Sequence, residues 1–275
     1  MKNVSIIGLG WLGKQIAKKL EKQGYTIKGS TRSMAKNEVF AKRGWEVCQL
    51  DIGELGTIAN NQKSLFSSSI VILTIPPSTL KENYANAMEA LIQQIVKINP
   101  KAKIFYTSST SVYGSFDTFC AINESSPTNP MSINAIEIVK VEKLIATNFE
   151  HHCILRLGGL VGENRHPVNY LTARRNVPKR KAPVNLIHAD DICEFISFAI
   201  TEDKLPKIIN LVSPEHPQKN VYYKNTANNL GLLLPKFDIE DERSDKMVDS
   251  LFLPQLNFKF KYLSPDLYPE AISQQ

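Results

Sequence analysis

Gly8, Gly10 and Gly13 follow an apolar run, Val4–Gly8, and precede a lysine-rich amphipathic segment. At a strand-to-helix turn each of these glycines has a separate task. Gly8 permits a tight turn, Gly10 lets a pyrophosphate approach backbone N–H groups at the positive end of a helix, and Gly13 lets helix pack on strand. G-x-G-x-x-G in that context, with Trp11 and Leu12 inside it, points to a bound dinucleotide. The next turn refines the chemistry. No acidic residue stands between Glu21 and Glu38, although an NAD site carries a carboxylate there for the ribose hydroxyls. Ser30, Thr31, Arg32 and Ser33 stand there instead. A guanidinium flanked by hydroxyls suits a 2′-phosphate, which a carboxylate would repel. The expected cofactor is NADP, ahead of NAD.

These residues need a scaffold, and the first half of the chain supplies a regular one. Strands are predicted at Val4–Gly8, Thr26–Gly29, Glu46–Leu50, Ile70–Ile75 and Lys103–Ser108, with helices over Lys14–Gln23, Ala35–Lys42 and Leu80–Ile98 between them. Ile70–Ile75 is a run of β-branched residues interrupted only by Leu73, as in a strand buried on both faces. Leu80, Tyr84, Met88, Leu91, Ile95 and Ile98 recur at helical spacing up to Pro100. A helix over Ala135–Phe149, a strand over His152–Leu157, a helix over Asp190–Ile200 and a strand over Ile208–Val212 follow. This order predicts an α/β fold, a doubly wound parallel sheet of Rossmann type. Residues 1–158, rejoined by 186–212, form the expected nucleotide-binding domain. A smaller, interwoven substrate lobe is expected over 159–185 and 213–275. Thr74, Ile75, Pro76, Thr107 and Ser108, at the ends of the fourth and fifth strands, complete the expected cofactor contacts.

Thr107-Ser-Ser109-Thr-Ser-Val112-Tyr113-Gly114 resembles the strand end of the extended short-chain dehydrogenase/reductases, the NAD(P)-dependent epimerase/dehydratase family. Gln49-Leu50-Asp51 is similar to the family's third-strand end, whose aspartate contacts adenine. Leu155–Gly162 and His188-Ala-Asp190-Asp191 resemble further family segments. The opening Gly-Leu-Gly-Trp-Leu-Gly, the Thr107–Gly114 block and Gly162-Glu-Asn-Arg165-His166-Pro167 are similar to an atypical branch, the YeeZ-like proteins. The resemblance implies that Ser109 hydrogen-bonds the substrate oxygen where hydride leaves or arrives, since a hydroxyl can donate to a developing alkoxide without carrying charge. The same hydroxyl could instead satisfy its own backbone.

The family's acid/base is a tyrosine assisted by a lysine four residues on. Here Asn134 and Ile138 take those positions, and no Tyr-x-x-x-Lys occurs anywhere in the chain. An amide does not exchange protons near neutral pH. Lys140 falls on the wrong helix face. Thr110 and Ser111 replace the acid pair of dehydratases, which argues against dehydration of a nucleotide sugar. Three titratable substitutes are considered: His166 beside Arg165, Tyr170 with Arg174 one turn on, and Tyr113, which also reads as a packing residue. Ser109, Tyr113, Arg165, His166 and Arg174 are the expected substrate contacts, with Ser109, His166 and Tyr170 as catalytic candidates. Asp190 or Asp191 reads as a helix N-cap, and His151-His152 as a surface pair.

The net charge is +6, partly from Arg174, Arg175, Lys179, Arg180 and Lys181. That run is either a solvated loop or an anion site for a phosphorylated substrate. Without aromatic interleaving it does not read as nucleic-acid binding. Cys48, Cys120, Cys153 and Cys193 lack CxxC or metal-ligand spacing, so no metal is expected and the thiols read as reduced and cytoplasmic. No apolar run reaches membrane-spanning length; glycines interrupt Val4–Gly13, so no signal peptide is read. The expected partner is a small molecule, anionic in one reading, for a monomer or homodimer without nucleic acid or membrane. Two functions stay open. One is an NADP-dependent oxidoreductase or epimerase-like enzyme with an unassigned proton carrier. The other is a catalytically silent, NADP-loaded sensor.

Overall fold

The structure, a computed structural model, describes residues 3–54, 60–172 and 174–271. Its contacts divide the chain into two units. The first holds 1–112, 130–155 and 196–208; the second holds 113–129, 156–195 and 209–275.

In chain order the elements begin with β1 (Asn3–Ile7), α1 (Trp11–Lys22), β2 (Thr26–Thr31), α2 (Met34–Ala41), β3 (Glu46–Gln49), α3 (Asn60–Phe66) and β4 (Ile70–Leu73). Then come α4 (Tyr84–Ile98), β5 (Lys103–Ser109), β6 (Cys120–Ile122), α5 (Ile133–Asn148) and β7 (His152–Leu157). The remainder are β8 (Gly159–Val161), α6 (Val168–Leu171), β9 (Leu186–His188), α7 (Ala189–Ala199), β10 (Ile208–Leu211), α8 (Lys219–Asn229) and β11 (Lys246–Val248). Seven strands form one sheet in the order β10-β7-β5-β4-β1-β2-β3. The pairs β1·β2, β1·β4, β2·β3 and β4·β5 are all parallel. The order runs outward from β1 in both directions, so β1 and β4 flank a topological switch point. Crevices at the carboxyl ends of such strands bind ligands.

Patterning explains these elements. On α1, Ile16, Ala17 and Leu20 are buried while lysines face out, and the helix stops at Gly24, whose φ is +83°. Val71, Ile72 and Leu73 have no exposed surface. Met88, Leu91, Ile92 and Ile95 bury the stripe of α4; each such side chain contributes roughly 1.5–3 kcal/mol. The helix expected from Leu80 begins at Tyr84, because a 3-10 turn with Lys81 at φ +46° precedes it. α5 starts two residues early, where the Ser132 hydroxyl accepts from Ala135 N at 3.2 Å and caps it.

The second unit has its own core, in which Val161, Val168, Leu186, Tyr222, Tyr223 and Tyr268 are buried together. Two short parallel pairs, β8·β9 and β6·β11, belong to it. No helix among the described residues is long and apolar enough to cross a membrane.

Candidate functional site

The turn between β1 and α1 is fixed from both neighbouring strands. Gly8 N donates to the Ser30 hydroxyl (3.2 Å) and Leu9 N to Ser30 O (2.7 Å). From the β4 side, the Thr74 hydroxyl donates to Gly8 O at 2.6 Å. Gly8 has φ +106°, a conformation that disfavours a side chain. A Cβ on Gly13 would stand 2.2 Å from Gly8 O and 2.8 Å from Thr74 Oγ1. A Cβ on Gly10 would meet no atom within 4 Å. Gly10 is also the N-cap of α1, makes no side-chain cap, and precedes a first turn without acidic residues. The helix therefore keeps its positive end uncompensated, beside open space.

That space continues into a cavity of about 280 Å³ within the first unit. Gly8, Gly10, Ser30, Thr31, Arg32, Asp51, Thr74, Ile75 and Pro76, all expected cofactor contacts, line it. Leu9, Ser33, Lys36, Leu50, Ile52 and Leu80 line it as well. Of these, Lys36 had a legible signal: a cation four residues after Arg32, at the start of a predicted helix. The chain beyond β2 is pinned. Arg32 O accepts from the Gln49 amide at 3.0 Å, Thr31 Oγ1 accepts from Ser33 N, and the Ser33 hydroxyl caps α2 by accepting from Lys36 N. Arg32 and Lys36 are exposed, and no carboxylate among the described residues pairs with either. The Asp51 carboxylate, also in the wall, accepts from Gly53 N at 3.0 Å. An open glycine turn, an uncompensated helix end and two unpaired cations on one wall fit a dinucleotide's phosphates.

Other expected cofactor contacts lie elsewhere. Leu12 and Gly13 are buried within the packing of α1, and Trp11 is half-buried outside the cavity wall. The Ser108 hydroxyl donates to buried Glu142 at 2.5 Å, and the Thr107 hydroxyl to Leu73 O at 3.1 Å. Neither residue lines the cavity, and both hydroxyls are engaged within the protein.

Ser109, at the end of β5, is half-buried, and its oxygen accepts from Ser111 N at 3.1 Å. The backbone-satisfying bond is thus present, and the hydroxyl hydrogen keeps the capacity to donate. On α5, Asn134 is exposed in the first turn and Ile138 is buried in the core. Lys140 pairs with Glu137 at 2.5 Å, and Glu137 also receives Ala85 N at the start of α4. Lys140 therefore serves helix packing.

In the second unit the expected chemistry is mostly consumed. Tyr113 has no exposed surface; its phenol donates to Asn210 Oδ1 (2.8 Å) and accepts from Arg156 (2.9 Å). That corrects its assignment to substrate. His166 is also corrected. It is 3% exposed, its Nδ1 accepts from Val168 N, and its Nε2 donates to the Tyr222 hydroxyl at 2.8 Å. Burial lowers its pKa to about 4, so the ring is neutral with both nitrogens engaged. Tyr170 and Arg174 are exposed, but α6 ends at Leu171 and Thr172 turns extended, so the expected one-turn pairing of phenol and cation is lost. Arg165 is exposed on a tight turn closed by reciprocal bonds with Gly162. In the basic run, Lys179 pairs with Asp117 and Asp245, while Arg180 and Lys181 pair with Glu242. Arg174 and Arg175 are its two remaining cations. His188 and Asp190 pair with Glu270 and Lys261. His152 is half-buried rather than a surface residue, and its Nδ1 meets Phe149 O at 2.7 Å. Cys120 is partly exposed, and the other three thiols are buried. Among the described residues no cluster could hold a metal ion.

Comparison with known proteins identifies the family and the fold. Residues 4–211 match the NAD dependent epimerase/dehydratase family. Protein YeeZ of Escherichia coli K12 is 31% identical over 279 residues, covering 98% of this chain and 99% of that protein. UDP-N-acetylglucosamine 4-epimerase of Bacillus cereus superposes with a TM-score of 0.75 at 16% identity, over 95% of each chain. MoeE5 in complex with UDP-glucose and NAD gives a TM-score of 0.68 at 17% identity, over 92% of this chain and 90% of that one. The chain belongs to the NAD dependent epimerase/dehydratase family.

Proposed function

We propose that this member of the family holds NADP in the first unit and serves as an oxidoreductase or epimerase-type enzyme on a small, anionic or nucleotide-linked molecule. One observation carries the cofactor choice: the wall beyond β2 presents Arg32 and Lys36, and no carboxylate among the described residues forms an ion pair with either. A 2′-phosphate neutralises that wall, whereas a ribose hydroxyl leaves it uncompensated. The nucleotide-linked class is supported by solved relatives, one of which holds UDP-glucose.

When bound, the nicotinamide supplies hydride donation or acceptance. The chain's own residues bind and orient. The N-terminus of α1 and Gly10 receive the pyrophosphate, Thr74 and Ser30 keep the turn closed, and Ser109 donates its hydroxyl to the substrate oxygen. Asn134 and Ile138 supply no proton carrier, so an unassigned group or a water moves the proton. The second reading, a silent NADP-loaded sensor, is favoured by the same two residues and by the neutral, fully bonded state of His166.

Titration calorimetry with NADPH and NADH tests the cofactor choice. Arg32→Ala should weaken NADPH at least tenfold and spare NADH; equal loss of both removes the 2′-phosphate argument. Turnover over carbonyl and nucleotide-sugar panels tests the chemistry. An inactive wild type, with Ser109→Ala leaving ligand binding unchanged, selects the sensor.

A further inference from the structure

We infer that the second unit binds a small organic amine in an aromatic-walled cavity, with the ammonium on the Asp249 carboxylate and the apolar body against Phe258 and Phe260. The site lies wholly within the second unit and is independent of the cofactor reading above.

The cavity measures about 250 Å³. Buried Val212, Val248 and Leu253 line it, together with exposed Pro214 and Pro254. Phe258 and Phe260 are half-buried in the same wall, and Lys259 between them is exposed. The two rings meet edge to face with centroids 5.1 Å apart, and Phe195 meets Phe258 in the same way, also at 5.1 Å. These contacts fix the rings before any ligand arrives. A concave apolar wall favours a hydrocarbon body, and an aromatic face attracts a cation placed over it.

The polar side chains of the wall decide the class of ligand. Among the described residues these are Ser213, Asp249 and Ser250. The Ser213 hydroxyl is bonded to the Tyr268 hydroxyl. The Ser250 hydroxyl donates to Glu124 at 2.5 Å and accepts from Phe252 N and Leu253 N. Asp249 differs from both. Its side chain is 50% exposed, and its Oδ2 accepts no hydrogen bond among the described residues. Its Oδ1 stands 3.3 Å from His216 Nε2. His216 Nδ1 donates to Val184 O at 3.1 Å, so a neutral ring turns the Nε2 lone pair, not a proton, toward the carboxylate. No lysine or arginine lines the cavity among the described residues. An ammonium answers this wall with both charge and N–H donors. A carboxylate is repelled, and an alcohol brings a donor without charge.

The test uses the full chain and four probes, benzylamine, benzyl alcohol, benzoate and Nα-acetyl-lysinamide, with affinities read from amide shift titrations by NMR. Benzylamine should bind about fivefold or more tightly than benzyl alcohol, benzoate should bind more weakly than either, and the shifts should centre on residues 248–260. Asp249→Asn keeps the shape and removes the charge; it should erase the amine's advantage and leave benzyl alcohol unchanged. Asp249→Glu keeps the charge and should retain the advantage. Phe260→Leu should weaken benzylamine about two- to fivefold through the lost ring face. Equal binding of benzylamine and benzyl alcohol, or an advantage that survives Asp249→Asn, overturns the inference. So does the absence of any binding by the wild type. Tighter binding of Nα-acetyl-lysinamide than of benzylamine would reassign the cavity to a lysine of a protein partner and overturn the small-amine assignment.

Discussion

Arg32 and Tyr113 both follow strands of the sheet, and the structure uses them in opposite ways. Arg32 leaves β2 exposed and unpaired on a cavity wall. Tyr113 follows β5 into complete burial, with its single hydroxyl bonded on both sides. The same contrast separates Lys36 from His166. Water solvates an exposed cation at little cost, so Arg32 and Lys36 can wait for a ligand. A buried phenol or imidazole has no such option and must find partners within the protein. Residue type alone marks all four as chemical; the state of their bonds leaves two open to a ligand and commits two to the fold.

The sharpest way to break this comparison is through the glycine turn. Gly13→Ala puts a methyl 2.2 Å from a backbone oxygen that cannot retreat without moving β1. It should destabilise the protein by about 3 kcal/mol or more and abolish dinucleotide binding, measured by urea unfolding and NADPH titration. Gly10→Ala meets nothing in the protein. Its stability should stay within about 0.5 kcal/mol of wild type, while NADPH binding falls at least tenfold because the methyl occupies the approach of the pyrophosphate. Normal binding by Gly10→Ala would dissociate the open space from the ligand.

Tyr113→Phe probes the opposite region. It removes the hydroxyl between Arg156 and Asn210, leaving buried polar groups short of a partner, at a cost of about 1–3 kcal/mol. NADPH affinity should not change. If affinity falls while the unfolding midpoint holds, Tyr113 belongs to the ligand after all.

Two buried groups of the second unit should oppose each other in pH. His166 has its pKa lowered to about 4 from 6.5, so the unfolded chain binds more protons between those values. Its contribution to stability is complete above pH 6.5 and is lost as pH falls toward 4. His152, lowered by burial too, acts with the same sign. Burial of Asp191 raises its pKa from 3.8 to about 6. The folded chain then binds more protons, and stability is lost as pH rises from 3.8 through 6. Each of His166 and Asp191 is worth at most about 3 kcal/mol, and between pH 4.5 and 6 they largely cancel. His166→Gln should expose a stability that falls with rising pH, and Asp191→Asn one that climbs. Unfolding of both variants at pH 4.5 and 6 reads the signs; parallel profiles would refute the opposition.

The parallel sheet was legible because β1, β4 and β5 are apolar runs between amphipathic helices, and G-x-G-x-x-G marked the first turn, which borders the cavity. Strand-end positions such as Thr74 followed from that order. The second unit was harder to read. α8 carries Tyr222, Tyr223, Thr226 and Ala227 inward on a polar sequence, so its buried face lacks an aliphatic stripe. The β6·β11 and β8·β9 pairs are only three residues long, too short to show a period. His166 and Tyr113 were misplaced for a different reason. Spacing reveals which groups could react, whereas only the packed structure reveals which have already spent their donors and acceptors.

The smallest effect isolates the charge that the Arg32 wall recognises. A phosphate monoester has a second pKa near 6 and is mostly a dianion at pH 7.5, mostly a monoanion at pH 5. Loss of one ligand charge should cut the preference for 2′,5′-ADP over 5′-AMP roughly three- to tenfold across that range, since a charge-assisted bond to phosphate is weakened rather than lost. The direction is fixed: preference falls as pH falls. 5′-AMP, whose 5′-phosphate titrates in the same window, serves as the internal reference for protonation at the glycine turn. In Arg32→Ala/Lys36→Met the residual preference should be small and nearly flat with pH. A preference that survives that double substitution and keeps its slope would place the 2′-phosphate away from α2, and the contrast between an open wall and a closed interior would need another explanation.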